Sequence, residues 1–122
     1  MTLVDTSSWI HQLREHGDEE VRARVEALLL GGDACWCAPV RLELWIGARG
    51  SHEKAVLRRY EKVMPELPIS QEVWNESFEL ARRARAGGFT CPSPDVLIAA
   101  CARVHGVTVE SSDAHIAKLM SL

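Results

Sequence analysis

Short apolar segments alternate with amphipathic helical segments along the whole of this 122-residue sequence. Strands are predicted at residues 2–4, 34–38, 66–69 and 107–109, the third as an edge strand because Pro68 has no N–H to donate. Helices are predicted after the first strand, at residues 18–30, 39–50, 52–63, 71–86 and 94–105, and after residue 113. Strands separated by helices require right-handed crossovers. The sequence therefore predicts an α/β fold, one domain over residues 1–122, with a mainly parallel central sheet of four or five short strands flanked by helices.

The composition is that of a soluble globular domain, with 47% hydrophobic and 25% charged residues, so a buried core is expected. No apolar run approaches the ~20 residues that span a bilayer. The start at Met1 has neither the basic n-region nor the apolar h-region of a signal peptide. The four cysteines lack a paired C-x-x-C spacing, so reduced, mostly buried thiols are expected rather than a zinc site. We therefore expect a cytoplasmic protein without a membrane partner, and the net charge of -3 argues against a broad basic coat.

Four acidic residues occupy related places in this pattern. Asp5, Glu43, Asp95 and Asp113 each lie just after a predicted strand or in the first turn of a predicted helix. In a parallel sheet these positions converge on one edge, where α/β folds bind ligands. Carboxylates that share a crevice repel one another unless a cation lies between them, and an oxygen-rich site suits a hard divalent ion. The pattern therefore predicts a magnesium-type site that acts on phosphate.

Each acid also has a purely structural explanation. Asp5 and Asp113 are placed to be helix N-caps, and Asp95 complements the dipole of its helix. Glu43 is harder to explain in this way because it lies in an apolar stretch of helix, and Gly47, one turn later, leaves room for a ligand. The coincidence of four acids at one edge, rather than any single acid, indicates a site.

Other phosphate chemistries lack their motifs in this sequence. Thr6 and Ser7 follow Asp5 where a haloacid-dehalogenase phosphatase needs a second aspartate, and the acid pair and late lysine of a receiver domain are absent. There is no Walker A loop, no G-x-G-x-x-G and no H-E-x-x-H. His115 lies close to Asp113 and could face the site, but we expect it at an exposed position of the last helix.

Four segments, residues 4–10, 42–49, 94–102 and 111–116, resemble the acidic motifs of PIN-domain nucleases. In their order and spacing they are most similar to the VapC-type toxins of bacterial toxin-antitoxin pairs, and the resemblance covers nearly the whole chain. The fourth segment departs from the family pattern, which more often has threonine at the position of Ser111 and an aromatic residue at that of Ile116.

The resemblance implies a single PIN-like domain that is a magnesium- or manganese-dependent endoribonuclease. Asp5 and Asp95 would bind the ion, while Glu43 and Asp113 would complete the charge around metal-bound waters or a second ion. A bound ion lowers the pKa of a coordinated water and neutralises charge on the phosphate. Thr6, Ser7 and Ser111 would supply hydroxyls to the carboxylates or to the phosphate.

The resemblance also implies partners: an RNA substrate, a cognate small antitoxin that inserts a basic residue among the acids, and a second copy of the chain in a homodimer. We expect the antitoxin to dock on apolar surface around Trp9 and Trp45 and along residues 21–29. The alternative is a catalytically silent module with the same fold that binds RNA or protein, in which the acids serve only as caps.

Overall fold

The computed structural model describes all residues from 1 to 122 and contains four strands and seven helices. The strands are β1 (Thr2–Val4), β2 (Ala34–Cys37), β3 (Glu66–Leu67) and β4 (Thr108–Glu110). The helices are α1 (Thr6–Leu13), α2 (Glu19–Leu30), α3 (Ala38–Gly47), α4 (Gly50–Val63), α5 (Gln71–Ala86), α6 (Ser93–His105) and α7 (Ala114–Met120). None of these helices has the length and apolar composition needed to cross a membrane.

The four strands form one sheet in the order β3-β2-β1-β4, and every neighbouring pair is parallel. In the register of the sheet, Leu3 of β1 lies opposite Cys35 on one side and Val109 on the other. Since all strands run the same way, their carboxyl ends lie at one edge. The predicted α/β fold with a parallel sheet is confirmed.

Both faces of the two central strands are covered, which is typical of parallel sheets. All four residues of β2 are buried, so Cys35, Trp36 and Cys37 all belong to the core although they alternate in direction along the strand. Helix α6 is also apolar almost all round, with Val96 and the residues from Ile98 to Ala102 buried, and it packs against α3, α5 and α7. The four cysteines are free thiols.

The apolar side chain of Trp9 lies inside the core, and the expected docking surface around it is therefore wrong. Trp9 is completely buried between Trp36 and Tyr60, with ring centroids 6.2 Å and 5.2 Å away. On α2, Val21 and Val25 are buried as well, because this stripe packs onto the body of the protein. An amphipathic pattern shows which residues avoid water but not whether the chain or a partner covers them.

Several element boundaries differ from the sequence prediction, by one to three residues. Strand β3 stops at Leu67 because Pro68 cannot donate to the ladder, and the Pro68 carbonyl instead accepts a hydrogen bond of 2.9 Å from the His105 ring. Ser93 is the first residue of α6 rather than its cap, which is Pro92. Gly106 ends α6 in the left-handed conformation, with φ of 65°, which glycine adopts without strain.

Candidate metal centre

Asp5 lies directly after β1, and its backbone joins the two strands that carry the site. Its N–H donates to the carbonyl of Glu110 at 2.9 Å, which fixes the end of β1 against the end of β4. The Asp5 carboxylate does not cap α1. Instead, its Oδ2 atom accepts hydrogen bonds of 2.8 Å from both Ser7 Oγ and Ser111 Oγ. The side chain is thus held in one orientation, with Oδ1 left for another partner.

The same hydroxyls organise the segment after β4. Ser111 Oγ accepts a hydrogen bond of 2.9 Å from the N–H of Asp113, and Ser7 Oγ accepts one of 2.9 Å from the N–H of Ser112. Asp113 caps α7, since its Oδ1 atom accepts from the N–H of His115 at 2.8 Å. The turns after β1 and β4 therefore form one hydrogen-bonded unit.

Asp95, in the first turn of α6, supplies the third carboxylate. It is only 9% exposed. Burial raises the pKa of its carboxyl group to about 6, and the nearby charges of Asp113 and Asp5 act in the same direction. His115 Nδ1 lies 3.4 Å from Asp95 Oδ2 and 3.2 Å from Asp113 Oδ1, and it is the only basic group that pairs with these carboxylates.

Glu43 is joined to this group through α1. Thr6 Oγ1, next to Asp5 in the chain, donates a hydrogen bond of 2.7 Å to Glu43 Oε1. The carboxylate is half-buried on α3. A Cβ atom at Gly47 would meet no other atom within 4 Å, so the helix is open on that side.

The structure therefore gathers Asp5, Asp95 and Asp113 at the carboxyl edge of the sheet, with Glu43 attached through Thr6. The ligand atoms that lie within 4.8 Å of one another belong to Asp95, Asp113 and His115. The predicted exposed position of His115 is confirmed, since its side chain is 48% exposed, and its ring also faces two of the acids. Its position in the first turn after Asp113 was the available signal.

These residues fit a divalent cation. Three crowded carboxylates, with no lysine or arginine paired to any of them, carry an excess of negative charge in a partly dehydrated site. Carboxylate oxygens are the donors that magnesium and manganese prefer. The raised pKa of Asp95 has the same causes, because burial and then the neighbouring carboxylates both favour the neutral, protonated form.

An apolar groove of about 570 Å³ lies beside Glu43, between α3, α5 and the start of α6. Its apolar lining includes Pro39, Leu42, Trp45, Ile69, Trp74 and Leu97. Leu42 and Trp74 are exposed, and Trp45 is half-buried. Of the expected docking surfaces, the region around Trp45 is therefore the one that remains accessible.

The chain has a small parallel sheet with acidic side chains gathered at its carboxyl edge, and comparison with known proteins identifies the family with this arrangement. The profile of the PIN domain family matches residues 2–120, and the chain belongs to that family. It is 31% identical over 119 residues to the VapC ribonuclease Mb1587 of Mycobacterium bovis and to ribonuclease VapC11 of Mycobacterium tuberculosis H37Rv. Each alignment covers 93% of this chain and 87% of the relative.

Solved structures with the same fold include VapBC-5 of Mycobacterium tuberculosis, a member of the VapBC family of toxin-antitoxin systems. FitAB bound to a DNA fragment superposes with a TM-score of 0.79 and 24% identity, covering 100% of this chain and 92% of that chain. VapBC-1 of nontypeable Haemophilus influenzae gives a TM-score of 0.76 and 16% identity, covering 98% and 92%. At these identities the likeness establishes the fold.

Proposed function

We propose that this chain is the ribonuclease toxin of a toxin-antitoxin pair and hydrolyses phosphodiester bonds of RNA with the help of a divalent metal ion. The convergence of Asp5, Asp95 and Asp113 at one sheet edge carries the proposal. Family membership and the likeness to two mycobacterial ribonucleases support it. An RNA substrate implies that the chain acts in the cytoplasm.

Magnesium or manganese is the ion that the proposal requires, held by Asp5 and Asp95, with Glu43 and Asp113 completing the negative charge. When bound, such an ion activates water and offsets charge that builds up on the phosphate. No side chain then needs to act as a nucleophile.

The chain itself contributes orientation. Ser7 and Ser111 fix one oxygen of Asp5 and leave the other, which would hold the ion, without a protein donor. Thr6 orients Glu43 in the same way. Because these hydroxyls are already bonded to carboxylates, they preorganise the acids before RNA arrives, and preorganised charge costs little rearrangement during the reaction. The proposal therefore treats them as positioning residues.

The proposed partners are a small antitoxin and a second copy of the chain. The structural neighbours include a toxin-antitoxin complex from Klebsiella pneumoniae and a member of the VapBC family of toxin-antitoxin systems from Mycobacterium tuberculosis. Exposed apolar side chains on α3 and α5 offer contact surface, with Ile46 76% exposed and Phe78 53% exposed. The groove beside Glu43 is the candidate docking surface for an antitoxin, whose basic residue would reach the adjacent acids and block RNA.

The proposal is tested by incubating the purified chain with single-stranded RNA in magnesium or manganese. We expect cleavage that a chelator stops and added metal restores. Cleavage that continues unchanged in excess chelator would contradict the metal mechanism. Tight RNA binding without any cleavage in either metal would favour the silent binding module.

A further inference from the structure

His115 adds a nitrogen donor to a site otherwise made of oxygen atoms. It lies in the first turn of α7, two residues after Asp113, and its side chain is 48% exposed. The Nδ1 atom faces Asp95 Oδ2 at 3.4 Å and Asp113 Oδ1 at 3.2 Å. Neither contact has the geometry of a hydrogen bond, so Nδ1 lies near both oxygens without a hydrogen bond to either.

These separations match those of neighbouring ligands around one ion. Adjacent ligands of an octahedral ion with bonds of about 2.1 Å lie roughly 3 Å apart. The three donor atoms of Asp95, Asp113 and His115 all fall within 4.8 Å of one another, which leaves room for a cation among them. No large movement of α6 or α7 is needed.

The surroundings of the Asp95 carboxylate also favour a cation at this place. The residue is only 9% exposed, and His115 Nδ1 is the only nitrogen of a basic side chain within 4 Å of its oxygens. No hydrogen-bond donor of the protein satisfies it, in contrast to Asp5, which accepts from two serine hydroxyls. A largely buried carboxylate whose neighbours are a second carboxylate and a histidine favours a cation among them.

We propose that His115 binds the divalent ion through Nδ1, together with Asp95 and Asp113, and that it shifts the preference of the site from Mg²⁺ towards Mn²⁺. Imidazole nitrogen binds transition metals better than it binds magnesium, which favours oxygen ligands and retained water. This inference rests on the proposed metal site but makes Asp113 and His115 direct ligands of the ion beside Asp95, and it adds a metal selectivity.

The first test uses manganese alone, without RNA. Tag-free protein is loaded with one equivalent of Mn²⁺, and electron spin-echo envelope modulation detects ¹⁴N coupled to the ion. We expect a nitrogen coupling in the wild type that His115→Ala and His115→Gln both lose. The matched control is His16→Ala, which changes an exposed histidine in the loop after α1 and should keep the coupling.

The second test measures binding of each metal by titration calorimetry. We expect His115→Ala to weaken Mn²⁺ binding roughly tenfold and Mg²⁺ binding less than about twofold. Equal losses for both metals, or a wild-type Mn²⁺ spectrum without nitrogen coupling, would overturn the proposal. A coupling that persists in both His115 variants would do the same.

These outcomes are separable from those of the proposed function. If manganese shows no nitrogen coupling while RNA is still cleaved in a metal-dependent way, only the role of His115 fails. If RNA is never cleaved but the coupling is present and depends on His115, the metal ligand stands and the ribonuclease proposal fails.

Discussion

At the scale of single residues, the site depends on which donors each carboxylate receives. Asp5 occupies the N-cap position of α1, yet its side chain bonds two serine hydroxyls rather than the helix backbone. Asp113 does cap its helix, and one of its oxygens remains close to His115. Capping therefore accounts for the position of Asp113 but not for that of Asp5.

The raised pKa of Asp95 makes the stability of the metal-free protein depend on pH. The folded protein binds this proton more tightly than the unfolded chain, because the pKa is about 6 rather than its ordinary 3.8. Protonation of Asp95 therefore contributes to the free energy of unfolding in full below pH 3.8, and this contribution is lost as the pH rises through 6. We therefore expect Asp95→Asn, measured by thermal melting in chelator, to be more stable than wild type at about pH 7, by on the order of 1 kcal/mol.

The difference between Asp95→Asn and wild type should shrink towards about pH 4, where both side chains are neutral. The matched control is Asp33→Asn, an exposed aspartate before β2, which should leave the pH profile unchanged. A stability difference that is constant over this pH range would mean that the charge of Asp95 is not the cause.

The acids could be found from the sequence because each follows a strand or opens a helix in a pattern whose topology is predictable. His115 could not be assigned in the same way, because its side-chain direction depends on how α7 packs beside α6. The bonds from Ser7 and Ser111 to a single oxygen of Asp5 likewise arise from the contact of two turns more than 100 residues apart.

At the scale of elements, nearly every helix and strand could be predicted, because capping residues, prolines and glycines mark their ends locally. The prediction of a docking surface around Trp9 was wrong because burial depends on contacts between distant elements. Trp9 points into a cluster with Trp36 and Tyr60, which belong to β2 and α4. Burial of an apolar residue is set by such distant neighbours, and the local pattern does not contain them.

A polar network connects α1, α2 and β4 behind the site. Ser8 is completely buried and donates a hydrogen bond of 2.9 Å to Glu110 Oε2, while Arg24 Nε donates one of 2.7 Å to Glu110 Oε1. Ser8→Ala removes one donor from a carboxylate whose side chain is only 11% exposed. We expect the free energy of unfolding to fall by about 1–2 kcal/mol, seen as a lower denaturant midpoint.

Ser51→Ala provides the comparison, because Ser51 is exposed on α4 and should tolerate the same change. If Ser8→Ala and Ser51→Ala have equal midpoints, the network does not stabilise the junction of these elements.

At the scale of the whole molecule, the site lies beside uncovered apolar surface. Leu42 and Trp74 line the groove next to Glu43 and are 61% and 42% exposed. A ribonuclease that acts on cellular RNA requires restraint, and a partner that covers this groove would reach the acids. Surface exposure and charge thus place the proposed catalysis and its inhibition on one side of the protein.

Expression of this chain alone should arrest bacterial growth, since unrestrained cleavage of RNA stops translation. Co-expression of the neighbouring small open reading frame should restore growth, and Asp95→Asn expressed to the same level should be harmless. Growth curves and immunoblots check these outcomes. Normal growth with abundant, folded wild-type protein would contradict the toxin proposal.

The most direct measurement compares RNA cleavage by purified wild type, Asp5→Asn, Asp95→Asn and Glu43→Gln in magnesium and in manganese. Each variant keeps side-chain volume and removes one negative charge, and Asp33→Asn serves as the control. We expect Asp5→Asn and Asp95→Asn to lose roughly a hundredfold or more of the rate while remaining folded, with Glu43→Gln nearly as severe. Folded Asp5→Asn and Asp95→Asn variants that cut RNA at the wild-type rate would contradict the assignment of these acids to catalysis.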